Sequence, residues 1–341
     1  GPLVARAILG HPHTVEDWRN LFLASAAFTA LNFFWMLTFK DVPSGASKTE
    51  SAGQVLKRTF KNILEPRLIA WLLIMACFWL MMYQLWDLHP NFITDWVDSS
   101  DVAGLLGHLP NPDYWVSSTP RGPQVPQEIL LSVNAALIVL IIIPVSWLVR
   151  KMRTLSAMLI GMTMATFGIL VAGLTANGWM LIAGIGLFSL GEMLTGPKKN
   201  EYLGLIAPPG KKGLYLGYVN IPVGIGGFIG SKMAGHIYGN YGEKAVLALK
   251  YLATETKVGA GKAWDGSVET LEATIGVARP EAFARLQEVM GMDAAQATRL
   301  LWDFYNPQYA VWLPFAAIGV LAIVALAIFG QLAKRWSDVN A

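Results

Sequence analysis

Seven long apolar runs constrain this chain more than any other feature. They lie at Leu21–Phe39, Leu68–Leu88, Ile129–Val149, Leu155–Thr175, Met180–Ala207, Leu214–Tyr238 and Tyr309–Gly330. Crossing a bilayer takes about 20 predominantly apolar residues. Backbone groups in hydrocarbon must find partners within the chain, and no alternating barrel pattern accompanies the runs, so each is predicted to be a helix. Met180–Ala207 is the least apolar, and residues 1–10 read as the end of a further helix. Composition agrees: 54% of the 341 residues are hydrophobic and 14% charged, against about 25% charged in soluble domains. The expected fold class is an all-α membrane protein.

Several function classes drop out early. A net charge of +3 does not suit a nucleic-acid partner. The single cysteine, Cys77, lies in an apolar run, so neither an intramolecular disulfide nor a cysteine metal site is expected. No nucleophile–base pair, phosphate loop or metal cluster stands out, so no enzyme, cofactor or metal is expected.

Cation positions set an expected orientation. Lys40, Lys48, Lys57, Arg58, Lys61 and Arg67 separate the first two runs. Arg150, Lys151 and Arg153, then Lys211 and Lys212, then Lys334 and Arg335 fall on the same side if the runs alternate. The opposite side has Arg121 in 89–128 and no cation in the Ala176–Gly178 turn. The basic side is expected to be cytoplasmic. Segment 241–308 is exempt, because loops beyond about 60 residues largely escape the rule.

Two external segments are large enough to be structured. Residues 89–128 hold six prolines, Pro90, Pro110, Pro112, Pro120, Pro123 and Pro126, and read as an ordered, non-helical loop. Residues 241–308 contain helical stretches at Glu281–Met290 and Ala294–Phe304. Leu286, Val289 and Met290 fall on one face, Leu300 and Leu301 on another. Such stripes fit a cap packed on itself, or a surface that docks an external partner.

The chemistry concentrates in the fifth run. Glu192 falls near mid-span, where an ionisable group costs about 2.5–3.5 kcal/mol on insertion scales and marks a functional site by default. Lys199 lies seven residues on, two helical turns, and shares its face. Lys198 and Glu201 face elsewhere, nearer the cytoplasmic mouth. Gly196 and Pro197 are expected to break the helix beside these charges. The alternative is a structural ion pair that only locks helices together.

Further polar positions are Tyr83, Gln84 and Asp87, at the end of the second run, after Phe78-Trp79. They could line a cavity or belong to an interfacial aromatic belt with Trp86 and His89. Asn134, with Pro144 on the same helix, either hydrogen-bonds across helices or lines the cavity. Gly224, Gly226, Gly227 and Gly230 are read as close-packing positions.

The stretch from Gly191-Glu192 to Pro197, ending in Ile206-Ala207-Pro208-Pro209-Gly210-Lys211-Lys212-Gly213-Leu214, resembles the tenth helix of the proton-dependent oligopeptide transporter family, within the major facilitator superfamily. Phe78-Trp79 with Gln84 is similar to that family's seventh helix, and Asn134 with Pro144 to its eighth. Trp18-Arg19 is similar to the entry of helix six. On this register the fold is a major facilitator-type helical bundle: the C-terminal six-helix half plus helix six and a stump of helix five. Residues 1–40 are then a remnant of the N-terminal bundle, 41–67 a cytoplasmic linker and 68–335 the C-terminal bundle, with external segments 89–128 and 241–308. Helices one to four are missing from this register, as in a fragment.

The resemblance implies a proton-coupled symporter of small polar solutes, short peptides foremost, working by alternating access as a multi-pass protein of the cell membrane, here a bacterial inner membrane. Proton coupling falls to Glu192 and Lys199, and the substrate cavity to Trp79, Tyr83, Gln84, Asn134, Thr195 and Lys198. Three positions depart from the family pattern. Tyr83 stands where an acid is frequent, Gly196 where a serine is common, and the run Lys198-Lys199-Asn200-Glu201 replaces small or apolar residues. Alternatives are another cargo, such as a nucleoside or sugar, and a non-transporting membrane scaffold or sensor.

Overall fold

The structure, a computed structural model, describes residues 2–8, 14–40, 51, 53, 57, 61–259 and 264–335. Most of the expected linker 41–67, with Lys48 and Arg58, lies outside the described residues. The chain forms two compact units, Gly1–Ile69 and Ala70–Ala341.

In the first unit, α1 (Pro2–Ile8) packs against α2 (Val15–Met36). A capping box starts α2: the Thr14 hydroxyl accepts from the Asp17 N–H, and the Asp17 carboxylate accepts from the Thr14 N–H at 2.8 Å.

The second unit continues with α3 (Pro66–Met82, which begins at the boundary), α4 (Gln84–Asp87), α5 (His89–Trp96), α6 (Ser100–Leu106) and α7 (Pro112–Trp115). A hairpin of β1 (Ser117–Thr119) and β2 (Gly122–Gln124) follows. Then come α8 (Gln127–Val149), α9 (Thr154–Gly173), α10 (Gly178–Ile206), α11 (Lys212–Gly217) and α12 (Ile221–Tyr241). The short helices α13 (Lys244–Thr254), α14 (Val268–Ile275), α15 (Ala282–Met290) and α16 (Ala294–Tyr305) lead into α17 (Pro307–Arg335).

Among the described residues, six helical runs are long and apolar enough to cross a membrane: Pro66–Asp87, Gln127–Val149, Thr154–Gly173, Gly178–Ile206, Lys212–Thr254 and Pro307–Arg335. The first expected span, Leu21–Phe39, is not one of them. It falls on α2, which begins earlier and takes in Glu16, Asp17, Arg19 and Asn20, and these dilute its apolar character.

Small residues decide how the spans pack. Lipid supplies no hydrophobic drive between helices, so close backbone contact must hold them together. Along α9 and α10 the backbones meet directly. A Cβ at Gly168 would lie 2.4 Å from the Phe188 nitrogen, and one at Gly191 2.4 Å from the Ala165 nitrogen. Trp312 of α17 fills the space beside Gly173. α8 is peripheral: Val139, Leu140, Ile143 and Trp147 stand exposed, as they would toward lipid. Lys151 caps its end with Nζ 3.8 Å from the Trp147 ring centroid.

Segment 89–128 is ordered but not the non-helical loop its prolines suggest. Pro90 and Pro112 occupy the first turns of α5 and α7, where the missing N–H costs nothing. The segment is anchored through Asp98, whose N–H donates to Ala176 O at 2.7 Å and whose carbonyl accepts from the Gly178 N–H at 2.8 Å. α5 is tied to the end of α12: Tyr238 O–H donates to Asp95 Oδ2 at 2.5 Å, and Trp96 Nε1 donates to Gly242 O at 2.7 Å. In 241–308 the apolar stripes meet one another. Leu286 of α15 and Leu301 of α16 are buried in contact with α13, whereas Val289, Met290 and Leu300 are half-buried.

Candidate functional site

α10 sets the site. Asn177 caps its start, accepting from the Trp179 and Met180 N–H groups at 3.0 Å. The helix then runs unbroken to Ile206, with Pro197 inside it. The break expected at Gly196-Pro197 does not form. Proline removes one ladder hydrogen bond, and the packed neighbours α8 and α9 hold the rest of the helix.

At 100° per residue, Ser189, Glu192 and Lys199 share one face of α10. Asn134 of α8 reaches that face. Its Nδ2 donates to Glu192 Oε2 at 3.1 Å and to Ser189 Oγ at 3.0 Å. The Ser189 hydroxyl donates a hydrogen bond to Ile185 O at 2.7 Å. Lys199 turns toward α3 and holds Nζ 4.3 Å from the Trp79 ring centroid, a cation–π contact. Glu192 and Lys199 are half-buried and their charges act on each other. They do not form a contact ion pair among the described residues. Tyr83 lies beside Trp79, with ring centroids 5.9 Å apart and the rings tilted by 52°. Trp79 Nε1 is buried with no hydrogen-bond partner among the described residues.

Glu192, Lys199, Asn134, Trp79 and Tyr83 are thus drawn into one neighbourhood. The other three expected cavity residues point elsewhere. Thr195 is buried on the α9 side, where it donates to Gly191 O at 2.9 Å and abuts Gly161. Gln84 is fully buried against Gly230 of α12, with Nε2 donating to Leu80 O at 2.7 Å. Lys198 is buried in the C-terminal part of α10. Its Nζ contacts Glu201 Oε2 at 2.8 Å and Met152 O at 3.0 Å, while Thr154 Oγ1 donates to Glu201 Oε1 at 2.7 Å. That cluster staples α10 to the α8–α9 turn. Asp87 accepts a hydrogen bond from Ser231 of α12.

Sequence reasoning passed over Ser189. Its spacing, three residues before Glu192 on the same helix, was the available signal. Chemically the site offers a carboxylate with one amide donor, an ammonium held over an indole ring, and a buried indole N–H with no partner among the described residues.

The chain matches the family model of the Major Facilitator Superfamily over residues 1–231, more than half its length. It is also similar to a Bacillus subtilis (strain 168) protein described as "Uncharacterized MFS-type transporter YttB", with 35% identity over 125 residues. That alignment covers 35% of this chain and 31% of the relative, so the chain spans about a third of the curated protein it matches. With six bilayer-length helices and a mid-span carboxylate among them, the chain belongs to the major facilitator superfamily.

Proposed function

We propose that this chain forms part of a proton-coupled symporter for small polar solutes, short peptides foremost, in a bacterial inner membrane. In this reading 68–335 is the six-helix half that carries the site, 1–40 belongs to the other half, and 41–67 connects them on the cytoplasmic side.

One observation carries the coupling role: Glu192 sits mid-span between two competing partners, Asn134, which touches it, and Lys199, which does not. Burial favours the neutral acid, and a nearby cation favours the carboxylate. A group held between the two can take a proton on one side of the membrane and release it on the other. When Glu192 is protonated, Lys199 loses its electrostatic partner and stays on Trp79. When Glu192 is charged, Lys199 is drawn back. Such a two-state contact can couple proton binding to the rocking of one helix bundle against another. The half-buried Trp79 and Tyr83 form the wall beside it, suited to apolar contact with a solute and, through the Tyr83 hydroxyl, to hydrogen-bonding its polar groups.

The test is Glu192→Gln in the full-length protein. Uphill uptake driven by a pH gradient is expected to vanish, while exchange of labelled for unlabelled solute continues, because exchange needs no net proton release. A mutant that still concentrates solute refutes the coupling role. A mutant that does neither, and no longer inserts, supports a structural role for the group instead.

A further inference from the structure

A cleft of about 470 Å³ opens between α16 and the stretch that pairs with the α9–α10 turn, and neither Glu192 nor Lys199 lines it. Arg299, Trp302 and Asp303 of α16 form one side, and Asp98, Asp101 and Arg121 the other. Both sides are held in place. The backbone of Asp98 is bonded to Ala176 and Gly178. On the α16 side, the Trp302 ring centroid lies 6.0 Å from that of Phe92 and 5.8 Å from that of Trp96 in α5. Ala297 and Leu301, on the back of α16, are fully buried.

Most polar groups around the cleft are already committed. Arg121 donates to Thr94 O at 2.7 Å and to Val97 O at 3.1 Å. Asp98 Oδ1 accepts from the Ser100 N–H at 3.0 Å and from Gln124 Nε2 at 3.1 Å. The Thr298 hydroxyl donates to Ala294 O at 2.7 Å. Three charged side chains remain: Asp101, Arg299 and Asp303. All three are exposed, and no ion pair or side-chain hydrogen bond among the described residues includes them. Arg299 and Asp303 are one helical turn apart, a spacing at which opposite charges can meet, yet they stay apart. A lone exposed charge is ordinary in water. Here uncommitted charges of both signs edge one concave, aromatic-backed cleft, and a preformed cavity of a few hundred Å³ with a few convergent polar groups is the form that small-molecule sites take.

We propose that this cleft binds a small zwitterion, a solute with a primary ammonium and a carboxylate, such as an amino acid or a dipeptide. Arg299 offers the carboxylate a fork of parallel N–H donors. Asp101 and Asp303 accept from the ammonium, and the half-buried Trp302 offers it a ring face. The site is separate from that of Glu192, and its occupancy does not require proton coupling there.

The experiment uses the full-length protein in phosphatidylcholine nanodiscs, on a Cys77→Ser background. Ala295→Cys, at an exposed position lining the cleft, is labelled with a hydrophilic methanethiosulfonate reagent. Glycylglycine is expected to slow that labelling and to leave the labelling of Gln296→Cys, exposed on the same helix, unchanged. Its N-acetyl and C-terminal amide forms, each lacking one charge, should need about tenfold higher concentrations for the same protection. Adding Arg299→Gln should weaken protection by glycylglycine about tenfold and abolish its advantage over the amide. Adding Asp303→Asn should abolish its advantage over the N-acetyl form. Protection should persist in Glu192→Gln, and its loss there would make it a remote effect of the other site and overturn the inference. No protection by glycylglycine, or equal protection by all three forms, would overturn it as well. Protection that appears only when phosphatidylethanolamine is added to the discs would give the cleft to a lipid headgroup and overturn its assignment to a solute.

Discussion

His89 sits just past the C-terminal end of the span Pro66–Asp87, fully buried, with its ring centroid 4.0 Å from that of Trp312. Burial pushes its imidazole down to about 3, and the carbonyls of Ala172 and Gln84 only partly oppose this. The sign of the pH effect follows. The unfolded chain takes up the proton near the ordinary value of about 6.5 while the folded one does not. His89 therefore contributes its full stability above about 6.5 and loses it as pH falls toward 3, by up to about 1.4 kcal/mol per pH unit. Asp95, on the same helix, works the other way, because burial pushes its carboxyl up despite Lys244 and Tyr238. The comparison is therefore between variants. The protection factors of amides in 89–128, with the intrinsic pH dependence of exchange divided out, should fall below about pH 6.5 in the wild type, and less steeply in His89→Leu. Equal slopes in the two proteins would show that His89 is not the source. Neighbouring lysines make the same point about environment. Lys198 is buried on Glu201 and Met152, and Lys199, one residue later, lies over Trp79.

α10 is the element on which the rest is built. It runs through Pro197 without a break because α8 and α9 flank it. Its contact with α9 tolerates no added atom at several positions. Gly168→Ala would put a methyl 2.4 Å from the Phe188 nitrogen, with backbone on every near side. The helices must separate to admit it. The expected loss is about 1–3 kcal/mol, the usual range for overpacking, read as a lower unfolding midpoint in detergent. Gly186→Ala is the control, since its added Cβ meets only Leu137 Cδ1 at 3.6 Å. If both substitutions are neutral, the contact is looser than these distances imply. The short helices of 241–308 follow another rule. α15 and α16 have one apolar stripe each and bury it against α13, as amphipathic helices in water do.

For the whole molecule, the expected topology is the property most open to measurement. Lys57, Arg150 and Lys211 should lie on the cytoplasmic side, and Asp101 and Ala294 outside. Arg150 follows the end of α8 at Val149, Arg153 precedes the start of α9 at Thr154, and Lys211 follows the end of α10 at Ile206. Single cysteines at 57, 101, 150, 211 and 295, the exposed neighbour of the buried Ala294, on a Cys77→Ser background in intact cells, should label from outside only at 101 and 295. Labelling at 57 from outside would reverse the orientation. The 89–128 segment is anchored on the 176–178 turn and on the end of α12, and Asp101 and Ala295 are exposed positions of this ordered surface, whereas Ala294 itself is buried.

The amino-acid sequence by itself determined where the long helices of the second unit run. Twenty apolar residues can satisfy their backbone in lipid in one way only, and that requirement is local. It also determined that Glu192 and Lys199 share a face, because seven residues make nearly two whole turns of any α-helix. Prolines misled it in two directions, toward a break in α10 and toward an irregular 89–128, since proline forbids a hydrogen bond without saying whether neighbours will hold the helix or whether the residue sits in a first turn. Tertiary structure alone decided that Asn134 meets Glu192 from 58 residues away, that Trp79 lies under Lys199, and that Thr195, Lys198 and Gln84 turn to other helices. Spacing along a helix gives the angle between its own side chains. The rotation of the helix about its axis is set by which small residues let a neighbour approach, and that depends on contacts between segments far apart in the chain.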